Sequence, residues 1–198
     1  MKILVIGATG TIGKEIYNTL KEHHEVYGAS RKNDSYPIDI TNKDSIEKLF
    51  KKLPKLDAVI NAAGTAAWKP LSELTEEDYY IGIQSKLMGQ VNLVHIANKH
   101  LKDNGSITLT TGILAEHYEP NTVPLSLVNG ALHSFVNAAS RELERNIRLN
   151  VVASGAIAGG FPKDKKFAGY LPVQIEDVVK IYEYTLTNTN TGQILKIY

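Results

Sequence analysis

The residues Gly7-Ala8-Thr9-Gly10-Thr11-Ile12-Gly13 stand between a short apolar run and a helical one. Glycine at such a junction permits a tight turn and lets a pyrophosphate approach backbone N–H groups at a helix N-terminus. Gly7, Thr9, Gly10, Thr11, Ile12 and Gly13 are therefore the first candidate ligand contacts, although the spacing is G-x-x-G-x-x-G rather than G-x-G-x-x-G. A second candidate group lies at Gly28-Ala29-Ser30-Arg31-Lys32, with two cations and no carboxylate. Dinucleotide sites that select an unphosphorylated ribose place an acidic residue at this point. Arg31 is suited instead to pair with a 2′-phosphate and Ser30 to donate a hydrogen bond, so the expected ligand is NADP(H).

These groups need a scaffold, and composition limits its kind. A chain of 198 residues suffices for one sizeable domain and is short for two. The formal net charge of +1 provides no basic field for nucleic acid or an anionic membrane. The absence of cysteine excludes disulfides and thiolate chemistry and fits a reducing compartment. Ile3 to Ile6 is too short for a secretory apolar region, and no run approaches the ~20 apolar residues of a membrane span. A cytoplasmic location is expected. The histidines, among them His23-His24, His95 and His100, show no metal-ligand spacing, and no metal is expected.

Strand and helix signals alternate along the whole chain. Ile3 to Ile6 reads as a buried parallel strand, followed by a helix from Lys14 to about Lys21 with Ile12, Ile16 and Leu20 on one face. Glu25 to Ala29 is a second strand, and Pro37-Ile38-Asp39 a short third. A helix capped by Thr41 or Asn42 stops near Pro54, and Leu56 to Ile60 is the fourth strand. Thr75 and Asp78 resemble a capping box opening a long helix to about Leu101. Ser106 to Thr110 is a fifth strand, Leu125 to about Arg145 a second long helix, and Leu149 to Ala153 a sixth strand. After a loop over 156–172 come a helix, Ile175 to Thr185, and a last strand, Gln193 to Ile197. In that loop Lys163, Lys165 and Lys166 read as a solvated face, and Phe161, Phe167 and Tyr170 as pocket or packing residues. The alternation implies α/β architecture, a mainly parallel sheet covered on both faces.

With these elements in place, the sequence resembles the short-chain dehydrogenase/reductase family over almost its whole length. The glycine loop matches the variant of the family's extended and atypical members. Asp39 in Ile38-Asp39-Ile40-Thr41 resembles the family's adenine-side Asp, and Asn61-Ala62-Ala63-Gly64 resembles its Asn-Asn-Ala-Gly turn beneath the cofactor. Asn150 to Gly155 resembles the segment entering the nicotinamide side, with Ser154 where Pro is usual, and Thr191-Gly192-Gln193 resembles the turn before the last strand. The resemblance implies a doubly wound Rossmann-type sheet of seven strands and one NADP(H)-binding domain over 1–198. Ser30, Arg31, Asp39, Ile40, Asn61, Ala62, Ala63 and Gly64 join the glycine loop as its cofactor contacts. Only about six residues connect strands two and three, too few for a crossover helix, so that helix is expected to be missing or vestigial.

The family's reductases work through Asn, Ser, Tyr and Lys. Carried over residue by residue, those positions fall on Lys86, Gly112, Leu125 and Asn129. Leu125 cannot exchange a proton and Gly112 has no hydroxyl, so the family mechanism does not transfer. The candidates that remain are Lys86, Thr111 beside Gly112, and Tyr118 in the His117-Tyr118 loop. The expectation is an NADP(H)-dependent oxidoreductase acting on an unidentified small carbonyl or alcohol, with a non-catalytic dinucleotide-responsive regulator or scaffold as the alternative. Relatives pair through the two long helices. Met88, Val128, Phe135 and Val136 on them read as surplus apolar surface, so a homodimer or homotetramer is expected.

Overall fold

The computed structural model describes residues 1–159 and 169–198; Phe161, Lys163, Lys165, Lys166 and Phe167 lie outside them. The chain opens with β1, Lys2–Ile6, followed through the glycine turn by α1, Thr11–Leu20, and β2, Glu25–Ala29. Next come α2, Lys43–Lys52, and β3, Leu56–Asn61. A continuous helical run comprises α3, Glu76–Gly82, a π-helical stretch, Ile83–Met88, and α4, Gly89–His100. The chain ends with β4, Leu101–Gly112, α5, Val123–Ala139, β5, Arg148–Ser154, α6, Ile175–Thr187, and β6, Ile194–Ile197.

The strands form one parallel sheet in the order β2-β1-β3-β4-β5-β6. Successive side chains of β1 point to opposite faces, and each face has its own core. Ile3 and Val5 meet Ile16 and Leu20 of α1 and Val178, Tyr182 and Leu186 of α6. Leu4 and Ile6 meet Ile46 and Phe50 of α2, Leu93 of α4 and Leu132 of α5. The strand order reverses its direction of growth at β1, so the crevice at the carboxyl ends of β1 and β3 is the place for a ligand.

The doubly wound parallel sheet is as expected, but it holds six strands rather than seven among the described residues. The segment at Pro37 makes a single parallel bridge to Ser30, because proline has no N–H to extend a ladder. No helix joins it to β2. Asn33 supplies the turn instead: its Oδ1 accepts from the N–H groups of Ser35 and Tyr36, and its Nδ2 donates to the Gly28 carbonyl. The second long helix stops at Ala139 rather than near Arg145. Arg145 and Asn146 adopt left-handed backbone conformations, and the Arg145 guanidinium donates to the Leu101 carbonyl. Of the residues expected as surplus apolar surface, Val128 and Val136 are fully buried within the fold, Phe135 packs against the core, and Met88 is 41% exposed. No described helix is long and apolar enough to cross a membrane.

Local signals explain the helix starts. Thr75 and Asp78 form the capping box of α3, each side chain satisfying the other's backbone. Asn42 caps α2, its Oδ1 accepting from the N–H groups of Asp44 and Ser45 at 2.9 and 3.2 Å. Asn42→Ala should therefore destabilise the fold by about 1 kcal/mol and lower the melting temperature by roughly 2–4 °C. Differential scanning calorimetry showing no change would exclude a stabilising cap there.

Candidate functional site

The turn after β1 is held by contacts that leave no room for side chains. Gly7 has φ +85°, and a Cβ on it would lie 2.9 Å from the backbone of Ala62 and Ala63. A Cβ on Gly13 would lie 2.2 Å from the Gly7 carbonyl oxygen. The glycine turn thus lies directly on the turn after β3. Gly10 caps α1 without any side-chain hydrogen bond, which leaves the first N–H groups of that helix for an anion.

Beside this helix end lies a cleft of about 570 Å³. It brings together Gly7 and Thr9 of the turn, Ser30, Arg31 and Lys32 after β2, Asp39 and Ile40, and Ala63 and Gly64 after β3. Ser30 is buried and its Oγ has no hydrogen-bond partner. Asp39 lines the cleft with one carboxylate oxygen already accepting from the N–H and hydroxyl of Thr41. Gly10, Gly13, Asn61 and Ala62 are not among its lining residues. Asn61 holds its own turn by donating from Nδ2 to the Ala63 carbonyl.

Thr11 and Ile12 face a second cavity of about 220 Å³, at the carboxyl ends of β4 and β5. Trp68, Ile113, Leu114, Leu125, Ala156 and Ile157 supply its apolar wall, and Lys86, Gly112, Asn129 and Ser154 complete it. Lys86 is the one ionisable residue lining the cavity among the described residues, and it makes no ion pair with them. The residue is half-buried, and the partial desolvation lowers its ammonium to a pKa of about 8. Its backbone is fixed by Gln90, which is fully buried. The Gln90 carboxamide donates to the carbonyls of Lys86 and Thr110 and accepts from the Thr110 N–H, all at 3.0 Å. Asn129 is 2% exposed, and its Oδ1 is unpartnered.

The other two catalytic candidates stand apart from this cavity. Thr111 is buried on β4 and its hydroxyl is engaged with His133 Nε2 at 2.9 Å. Burial holds the His133 imidazole below its usual range. Tyr118 is 73% exposed on a separate surface depression beside α5. Its neighbour His117 contacts Tyr170 and Tyr198 instead, with the Tyr170 hydroxyl 2.9 Å from the imidazole.

Comparison with known proteins places this geometry in a family. A family model described as enoyl-(acyl carrier protein) reductase matches residues 11–171. The chain belongs to the short-chain dehydrogenase/reductase family. The protein lin1944 from Listeria innocua shares 39% identity and a TM-score of 0.96, with 100% of each chain covered. A small-chain dehydrogenase in complex with NADPH shares 26% identity and a TM-score of 0.88, covering 100% of this chain and 96% of that one. The 3-oxoacyl-(acyl-carrier-protein) reductase FabG of Thermotoga maritima is 29% identical over 161 residues, which are 76% of this chain and 65% of FabG. The match thus spans just under two thirds of that relative's length.

Sequence reasoning missed Ser85, Thr65 and Ile38 in the cleft wall and Trp68 in the second cavity. It also missed the Gln90 clamp. A glutamine four residues after Lys86, one helical turn on, was the available signal, but its partner Thr110 lies far along the chain. The unpaired state of Lys86 has a measurable consequence. Carbon-13 NMR of reductively methylated protein should show one lysine titrating near pH 8, absent from Lys86→Arg. Every lysine resonance titrating near 10.5 would show that the side chain is solvated.

Proposed function

We propose that this short-chain dehydrogenase/reductase is an NADP(H)-dependent oxidoreductase that interconverts a small carbonyl compound and its alcohol. The observation that carries the reading is Ser30. Its buried hydroxyl has no partner, and it lies beside Arg31 and Lys32 in the larger cleft, where a 2′-phosphate would satisfy all three. The bare first turn of α1 suits a pyrophosphate, and the turn at Ala63 and Gly64 forms the wall towards the second cavity. The NADPH-bound relative supports the same assignment.

When bound, the cofactor supplies or accepts the hydride. The chain must hold the carbonyl, exclude water and move one proton. The positions that the family resemblance gives for the reductase residues, Lys86, Gly112, Leu125 and Asn129, all converge on the second cavity. That convergence supports a reaction site there with a different acid. Lys86 Nζ is the candidate. As an ammonium it stabilises negative charge growing on the carbonyl oxygen and donates the proton that completes the alcohol; in oxidation it takes the proton back. A pKa of about 8 places both forms within reach of neutral pH. Leu125 contributes wall and no proton, which also keeps a non-catalytic dinucleotide-binding regulator as the second reading.

Arg31→Ala should weaken NADPH binding by roughly 1.5–3 kcal/mol, about 10- to 150-fold, and leave NADH binding unchanged. Calorimetry in which the parent binds both cofactors equally tightly would refute the 2′-phosphate assignment. Lys86→Ala should retain NADPH affinity and reduce carbonyl turnover at least about 100-fold. Reduction needs the ammonium, so parent turnover should fall as pH rises through about 8. NADPH binding with no turnover across aldehydes, ketones and quinones would select the regulator reading.

A further inference from the structure

The second cavity presents one positive charge and further hydrogen-bond donors, and no carboxylate among the described residues faces it. Its lining includes neither Asp nor Glu, and Lys86 makes no ion pair with the described residues. Lys86 also joins the two parts of the site. A Cβ on Gly64, in the wall of the larger cleft, would lie 3.1 Å from Lys86 Cγ, while the same residue lines the second cavity. The amide atom of Asn129 beside Gly112 is the nitrogen, a donor, 3.8 Å from where a Gly112 Cβ would stand. Ser154 adds a hydroxyl, and Trp68, Leu114 and Leu125 belong to the apolar wall. An ammonium with apolar neighbours and no counter-ion favours a ligand that brings both an anion and an apolar body.

We propose that the substrate is a short-chain 2-oxo acid, an inference that rests on the reductase reading above. Its carboxylate is the counter-ion that Lys86 lacks, its ketone oxygen takes the Lys86 proton, and its alkyl chain lies along Trp68, Leu114 and Leu125. One cation has both tasks, since no other lines the cavity among the described residues. An ammonium carries three N–H groups and meets two oxygens at once only where they are close together. The adjacent carbons of a 2-oxo acid provide that; a more distant carboxylate does not. Asn129 Nδ2 donates to the other carboxylate oxygen. A monoanion matches the single positive charge, whereas a phosphate dianion would leave charge uncompensated against an apolar wall. The reaction balances: hydride adds to the ketone carbon and the Lys86 proton to its oxygen, giving a 2-hydroxy acid with its carboxylate unchanged, and Lys86 recovers a proton from water.

The test uses the whole protein and three probes. They are 2-oxobutanoate; 2-butanone, in which a methyl group replaces the carboxylate; and 3-oxobutanoate, in which the carboxylate stands one carbon further from the ketone. With NADPH the parent should reduce 2-oxobutanoate with kcat/KM at least about 30-fold above 2-butanone and about tenfold above 3-oxobutanoate. Trp68 is the one tryptophan of the chain, so its fluorescence reports on this cavity without turnover. Titrating 2-oxobutanoate into the NADP+-loaded parent should change that emission saturably. Lys86→Met should raise the dissociation constant at least about tenfold and leave NADP+ affinity unchanged. Asn129→Asp sets a carboxylate of the same size in the wall and so supplies the missing counter-ion; it should bring 2-oxobutanoate to within about threefold of 2-butanone. Equal turnover of these two probes by the parent overturns the carboxylate assignment and spares the reductase reading. Preference for 3-oxobutanoate overturns it because one ammonium then does not bridge both oxygens. Unchanged 2-oxobutanoate affinity in Lys86→Met, or an undiminished preference in Asn129→Asp, overturns it by seating the anion elsewhere. Weakened NADP+ affinity in Lys86→Met overturns it by assigning the cation to the cofactor. Lys86-dependent binding without turnover of any probe overturns the reductase reading and leaves the 2-oxo acid as the ligand. Neither binding nor turnover overturns both.

Discussion

The site depends on a backbone-to-backbone contact that tolerates no side chain. With a Cβ on Gly13 the Gly7 carbonyl would be 2.2 Å away, and with one on Gly7 the peptide between Ala62 and Ala63 would be 2.9 Å away. Both distances are below any real Cβ contact, and in each case the obstructing atoms are main chain and cannot rotate aside. The turns after β1 and β3 therefore form one rigid floor, with the open end of α1 held over it. Moving α1 outward by the width of a methyl group would withdraw its N–H groups from the cleft and separate Thr9 from Ala63 and Gly64. Cofactor geometry is thus set by the sheet order, because only adjacency of β1 and β3 allows the two turns to touch.

A second constraint fixes the other end of the site. Gln90 joins the π-helical stretch to β4 through three hydrogen bonds, and nearby Thr110 bonds through its hydroxyl to the Asn61 carbonyl and to Tyr182. β3, β4, the helix carrying Lys86 and α6 are all tied at Thr110. A buried network of this kind holds position well because every member that loses its partner is left in a dry environment. Lys86 is therefore mounted on a fixed backbone while its ammonium stays unpaired. That combination suits a group that must meet a ligand atom at one place.

How much of this could be read in the sequence follows from the range of each interaction. The glycine turn, the cations after β2, the caps at Asn42 and Thr75, and the alternation of strand and helix are local, and each appears where it was expected. Ser30, Arg31, Ala63 and Gly64 follow strand ends on the same edge of the sheet, and the bridge between Ser30 and Pro37 brings Asp39 and Ile40 to the same cleft. The failures are non-local or concern single bonds. A run over Pro37 to Asp39 has strand-like residues, but proline allows only one bridge. Thr111 has a hydroxyl of the right kind next to Gly112, yet strand alternation turns it to the α5 face, where His133 takes it. Tyr118 is close to the site in sequence, and its side chain projects to solvent.

The unpartnered groups require discrimination, since Asn98 and Ser106 also bury side-chain oxygens without partners and Asn61 does so beneath the turn. None of these three lines either cavity. Ser30 and Asn129 differ in belonging to cavity walls that also carry a cation, Arg31 in one case and Lys86 in the other. An acceptor or hydroxyl held dry costs about 1–3 kcal/mol in the free protein, and a ligand that satisfies it recovers that energy on binding. Arg31 and Lys32 line the cleft while exposed to water, an arrangement that suits a phosphate. The second cavity has a single, half-buried cation and one amide within an otherwise largely apolar wall.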